Sequence, residues 1–205
     1  MANSILDTGD ITAMWLWEPD WSEEVALQGL LSKTVMQYGG SNWQLWVENY
    51  EIPKRLKMKF FINSKVKEKE LLDFFTTQMG RCNKFWIPTW LTQFTPLDDI
   101  DDIDVTIPVQ NHQFTQNYRG YERLFILLHN GDMLVRKITG VSVVDGDEVL
   151  TISSALGRDI QTTDIAHCGL FMLARFDNDK IDLEYVTSTY SKTTLQFYEL
   201  IREYP

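Results

Sequence analysis

The chain has 205 residues, 44% of them apolar, with seven Trp, eight Tyr and eleven Phe, and a formal charge of −10. That length suits one large domain or two small ones, and that charge argues against wrapping nucleic acid, which needs a cationic face to displace counterions. No stretch approaches the roughly 18 apolar residues of a membrane span.

Met1 to Asp10 lacks the basic and apolar segments of a secretory signal, so synthesis and use without secretion is expected. Cys82 and Cys168 are far apart and have no metal-site spacing; one pair could form a disulfide but is no framework.

In chain order, Trp15, Trp17 and Trp21 come first, aromatics without a periodic apolar partner and therefore candidate interface residues. Val25 to Gln37, Trp43 to Tyr50 and Arg55 to Asn63 read as three strands of one sheet, with a Gly39-Gly40 turn after the first. In the third, Leu56, Met58 and Phe60 alternate with Arg55, Lys57 and Lys59, an apolar face against a basic one. A helix over 64–79 follows, capped by Asn63 or Ser64, with Val66, Leu71, Leu72, Phe74, Phe75 and Met79 as its apolar face. Gly80 stands where a left-handed C-cap is expected.

Next comes Gly80-Arg81-Cys82-Asn83-Lys84-Phe85-Trp86-Ile87-Pro88-Thr89-Trp90. Two indoles, a Phe and a Pro in six residues are too apolar for a free loop and too broken for a regular strand. The segment must be buried against the protein's own core or a partner, and a buried crossover from helix to sheet is the reading favoured for Trp86, Pro88 and Trp90. Asp98 to Asp104 then places five carboxylates in seven residues. It lacks the glycine and distal glutamate of an EF-hand loop and reads as a solvated linker rather than a calcium site.

From Tyr121 the punctuation is regular. Leu124–His129 and Met133–Ile138 flank Asn130-Gly131, Val141–Val144 and Glu148–Ile152 flank Asp145-Gly146-Asp147, and Gly169–Phe176 and Ile181–Val186 flank Asp177-Asn178-Asp179: three predicted hairpins. Leu195–Ile201 makes a last strand. The fold class is mainly β with one helix, of sandwich or barrel type. A small barrel over 106–164 is expected to be inserted into a discontinuous β domain formed by 1–105 and 165–205.

Reaction chemistry has little support. His112 and His129 lie in or beside turns, and His167 and Cys168, adjacent on a strand, point to opposite faces, so no catalytic dyad is expected. No nucleophile-elbow, zinc-protease or phosphate-loop pattern occurs, and nothing asks for a cofactor or metal. Paired carboxylates for glycoside hydrolysis would need a cleft that a sequence does not display. The aromatics could instead form a sugar-stacking platform, giving a carbohydrate-binding module as the alternative reading.

The helix ending in Gly80-Arg81, then Phe85-Trp86-Ile87-Pro88-Thr89-Trp90, resembles the Gly-Arg, aromatic, Leu/Ile-Pro-x-Trp segment of tail proteins from long-tailed bacteriophages. Trp17-Glu18-Pro19-Asp20-Trp21 upstream, and Ala174-Arg175-Phe176-Asp177-Asn178-Asp179 leading to Leu195-Gln196-Phe197-Tyr198-Glu199-Leu200 downstream, are similar to that family's opening and closing segments. The resemblance implies a distal tail or minor tail protein of the tail tip and baseplate, a non-enzymatic virion component assembled in the host cytoplasm. It implies a ring-forming β-sandwich or split-barrel domain with an inserted barrel of oligonucleotide/oligosaccharide-binding (OB) form. The expected partners are copies of itself in a hexameric ring, the tail tube protein, the baseplate hub and receptor-binding or fibre proteins. Neither a membrane nor a specific nucleic-acid sequence is among them.

Overall fold

The computed structural model describes residues 13–29, 33–38, 42–47 and 52–204. Its strands are β1 (Ala26–Gly29), β2 (Lys33–Tyr38), β3 (Asn42–Val47), β4 (Lys54–Ile62), β5 (Phe85–Pro88), β6 (Thr106–Val109), β7 (Arg123–Leu128), β8 (Met133–Val144), β9 (Asp147–Ile152), β10 (Ile165–Phe176), β11 (Glu184–Tyr185) and β12 (Ser191–Glu199). One α-helix, α1 (Lys65–Thr77), stands among the described residues. The protein is mainly β, built around a large antiparallel sheet.

Two compact units divide the chain. The helical unit comprises Glu18–Lys84 and Leu173–Tyr204; the other, called the five-strand unit after its path β10–β7–β8–β9–β6 although β5 also pairs with β10, comprises the residues up to Trp17 and Phe85–Met172. The expected 106–164 segment falls inside the five-strand unit, while the expected 1–105 and 165–205 segments are shared between the two.

In the helical unit β4 pairs with β1 on one side and β12 on the other, and β11 pairs with the start of β12. The alternation read from the sequence sets which face of β4 is buried: Leu56, Met58, Phe60 and Ile62 are all 2% exposed or less. The long first strand expected over 25–37 is two strands, and the three expected strands do not make one sheet. Gly29 ends β1 without a side chain to pack. β2 and β3 pair with each other as a separate two-stranded ladder. The Gly39-Gly40 turn lies outside the described residues.

Ser64 caps α1 from an extended backbone, its Oγ accepting the Lys67 N–H at 3.2 Å. Lysines in the first turn oppose the helix dipole, and the Lys65–Glu68 and Lys69–Asp73 pairs, each 2.8 Å, offset this. The buried face is narrower than the six residues expected. Leu71 is buried and Phe74 and Phe75 meet Phe176 edge-on, whereas Val66, Leu72 and Met79 are 68%, 40% and 66% exposed. Leu71, Phe74, Phe75 and the buried Gln78 form an i, i+3, i+4, i+7 stripe, and the other three fall outside it.

The third expected hairpin does not form. The end of β10 pairs with β12 instead, Ala174 to Phe176 opposite Glu199 to Phe197. β11 is reduced to two residues. The Asp177-Asn178-Asp179 turn is spent elsewhere, as described below.

In the five-strand unit the order is β10–β7–β8–β9–β6. Both remaining hairpins form where the turns predicted them, with Gly131, Asp145 and Gly146 at positive φ. β8 serves two ladders: Met133–Lys137 pairs with β7, and Ile138–Val144 with β9, with a register shift between Ile138 and Gly140 where the strand changes partner. The core is a cluster that includes Phe94, Ile107, Leu124, Ile126, Leu134, Leu150 and Cys168.

The acidic run is docked in this unit and is not a free linker. Ile100 is buried and exchanges two backbone hydrogen bonds with Ile160. Two of its five carboxylates are turned to backbone donors: Asp99 accepts from Thr162 N–H at 2.7 Å, and Asp104 from Asp101 N–H at 3.0 Å.

Candidate functional site

The Gly80–Trp90 segment is built in two parts. In the helical unit α1 stops because Met79 (φ 53°) and Gly80 (φ 59°) both turn left-handed. Asp179, from the turn after β10, closes on this point: one carboxylate oxygen accepts the Arg81 backbone N–H and the other the Arg81 Nε–H, each at 2.9 Å. Those two bonds hold the Asp179 carboxyl below the usual aspartate range, the backbone one contributing most. A Cβ on Gly80 would stand 2.6 Å from Asp179 Oδ1, so the glycine serves both the backbone turn and the approach of the acid. Gly80→Ala should therefore lose about 1–2 kcal/mol for the left-handed backbone and more for displacing Asp179. Gly131→Ala, also at positive φ (89°) but with nothing near its Cβ, should show only the backbone effect in matched thermal melts.

In the five-strand unit Phe85, Trp86, Ile87, Pro88, Thr89 and Trp90 are all buried. The segment is crosslinked on both sides. Trp86 N–H donates to Ala13 O and Trp15 N–H to Trp86 O (2.9 and 2.8 Å), while Thr89 N–H donates to Leu170 O at 3.0 Å. Trp86 stacks on Phe171 at 5.5 Å and 9°, with the Arg123 guanidinium 4.6 Å above its ring. Trp90, itself at φ 59°, meets Phe125 and His167 edge-on.

The three N-terminal tryptophans separate. Trp15 is 1% exposed and lies 5.1 Å from the half-buried Trp17, so it is a core residue. Trp21, in the helical unit, is 47% exposed and donates its Nε1–H to Glu18 at 2.6 Å. Of the eight singled-out residues, Trp21 and Arg81 present the most surface.

His167 and Cys168 do point apart: Cys168 is 1% exposed, and burial pushes its thiol up to about 12, leaving it protonated. The His167 ring faces Thr92 Oγ at 3.2 Å. Cys82 is exposed, and neither cysteine is in a disulfide. A cleft of about 290 Å³ in the five-strand unit is lined by Thr92, Thr95, Thr162, Thr163, Phe94 and Cys168 among others, hydroxyl and apolar groups without a charge. Among the described residues no group of three His, Cys, Asp or Glu is placed to hold a metal.

One feature was missed in the sequence. On the helical unit Phe61 and Tyr190, 46% and 42% exposed, stack on each other at 5.8 Å and 29°. Tyr185 and Val186 beside them are 54% and 61% exposed. The signal was present at Phe61, which occupies the outward register of β4 after Arg55, Lys57 and Lys59. Tyr190 opens β12 through a turn that no sequence pattern marked. No family model matches the chain, and no curated protein matches its sequence.

Proposed function

We propose that the chain is a structural virion component of a long-tailed bacteriophage tail tip, a distal-tail-like protein that forms a ring joining the tail tube to the baseplate hub and the receptor-binding proteins. Its work is architectural, without turnover. The observation that carries the reading is the Asp179 clasp on Arg81: two of the motifs on which the family resemblance rests, 98 residues apart, meet in one bidentate contact. A second support is the burial of Phe85 to Trp90, which makes the aromatic-Pro-Trp motif a framework element. The helical unit would be the ring-forming sandwich or split barrel. The five-strand unit would be the OB-like barrel, a reading that the five-strand path β10–β7–β8–β9–β6 and the partner change within β8 favour.

A carbohydrate-binding module is the second reading, favoured by the exposed, stacked Phe61–Tyr190 pair. Light scattering over a range of concentrations separates the two. A closed species near six chains supports the ring. A monomer that retains a glycan on an array, and loses it in Phe61→Ala, supports the module and overturns the ring.

A further inference from the structure

The turn between β7 and β8 carries Asn130-Gly131, a dipeptide prone to spontaneous rearrangement because glycine has no side chain to shield its amide nitrogen from the neighbouring carboxamide. Both residues are exposed, and a Cβ at Gly131 would meet nothing within 4 Å, so neither crowding nor exclusion of water protects them. The reaction is an acyl transfer within the turn. The Gly131 amide nitrogen gives up its proton and bonds to Asn130 Cγ, and the side-chain nitrogen leaves as ammonia. Water then opens the five-membered imide at either carbonyl, leaving aspartate or isoaspartate at position 130. Water is the one co-reactant, and nothing is oxidised or reduced.

The attacking nitrogen and both ends of the carboxamide are engaged elsewhere in the fold. Gly131 N–H donates to Leu128 O at 2.9 Å. Asn130 Oδ1 accepts the Asp132 N–H at 2.9 Å, and Asn130 Nδ2 donates to Asp132 Oδ2 at 3.0 Å. Only this orientation of the amide gives both contacts, since the reverse would set its oxygen against a carboxylate. Arg158 backs the clamp: its Nη1 lies 2.6 Å from the same Oδ2. That bond above all holds the Asp132 carboxyl below the usual aspartate range, charged at neutral pH.

We propose that Asn130-Gly131 is a deamidation site held closed by the folded turn, with Asp132 as its positioning residue and Arg158 behind it. Closing the imide turns the carboxamide away from Asp132 and strips Gly131 of its bond to Leu128, so a charge-assisted hydrogen bond is lost before a new bond forms. The products fit the turn badly as well. Aspartate at position 130 sets a second carboxylate against Asp132, where the amide nitrogen now donates. Isoaspartate adds a carbon to the main chain of a turn whose register is fixed by Leu128 N–H donating to Asp132 O, and β7 and β8 carry Leu128 and Met133 into the core from there. The modification therefore marks chains in which this hairpin has opened, by one added negative charge.

The test incubates the full-length protein in neutral buffer well below its melting temperature and follows residue 130 by peptide mapping, which resolves asparagine, aspartate and isoaspartate. The folded protein should convert at least about tenfold more slowly than the same chain unfolded in urea, the scale of one charge-assisted hydrogen bond set against the barrier. Folded Asp132→Ala should convert about tenfold faster than the parent protein. Asp132→Asn keeps an oxygen to accept from Asn130 Nδ2 and should fall between the two. Gly146→Ala separates the clamp from mere loosening: it strains the other hairpin turn of the same unit, at φ 99°, and leaves the Asp132 contacts in place. It should convert as slowly as the parent protein. Folded and unfolded chains converting alike, or Asp132→Ala converting no faster than Gly146→Ala, overturns the proposal.

Discussion

Trp86→Ala should destabilise the protein by about 3–5 kcal/mol, the range for truncating a large buried aromatic. Trp86 is fully buried, and two separate partners lose contact at once. Phe171 loses the face it stacks on, Arg123 loses the ring beneath its guanidinium, and both stay in a buried site around the void. Trp86→Phe retains a ring against Phe171 and should lose distinctly less. Trp21→Ala is the contrast. Its ring is half exposed, so stability should move by no more than about 0.5 kcal/mol. Urea unfolding followed by tryptophan fluorescence ranks the three variants. If Trp21→Ala instead costs as much as Trp86→Ala, the division between framework and surface aromatics is wrong. In the ring reading, Trp21→Ala acts on assembled mass and not on the melt.

How much of this was legible in the sequence depends on how local the cause is. Asn130-Gly131 and Asp145-Gly146 specify their own turns, and both hairpins form around them. The alternation in β4 and the Ser64 cap are equally local, and both are present. The turn at Asp177–Asp179 was misread because its carboxylates have work at a distance: Asp179 clasps Arg81, and Asp177 pairs with Arg55 at 2.6 Å. Turn composition resembles hairpin composition whether or not the next strand pairs. The true partner of the end of β10 is β12, some twenty residues further on, and no local pattern announces it.

The acidic run shows the same limit in another form. Five carboxylates look like a self-repelling linker until Ile100 and Ile160 pair in the core and nearby N–H groups bond two of the acids, Asp99 and Asp104. Buried charges were the other omission. Arg136 is 3% exposed and donates to the carbonyls of Val135, Ser154 and Ala155. The signal was available: Arg136 shares a register with Leu134 and Ile138, as Glu148 does with Leu150 and Ile152. A charge in step with an apolar face is a candidate for a buried, hydrogen-bonded group.

Glu148 makes that candidate testable. Its side chain is fully buried, and its two oxygens accept from Thr115 N–H and Thr115 hydroxyl, each at 2.6 Å, and from His112 N–H at 3.1 Å. The carboxylate thus fixes the loop between β6 and β7. Burial by itself pushes its pKa up, but the hydrogen bonds from Thr115, His112 and Phe114 outweigh it and the net shift is down. A depressed native pKa means that the unfolded chain binds the proton more readily. The stabilisation is therefore complete above the unfolded value of about 4.3 and is lost as the pH falls through the native one.

Glu148→Gln keeps one acceptor but turns an amide NH2 toward donors, so at pH 7 it should cost about 2–3 kcal/mol, the scale of charge-assisted hydrogen bonds lost in a buried site. That gap between the two proteins should narrow steadily below about pH 4. Other acids with lowered pKa values, Asp132 and Asp179 among them, titrate alike in both proteins and cancel in the difference. Denaturant unfolding of the pair at pH 7 and pH 3.5 reads it directly. A gap that is constant with pH would mean that Glu148 holds the loop by shape, with its charge irrelevant.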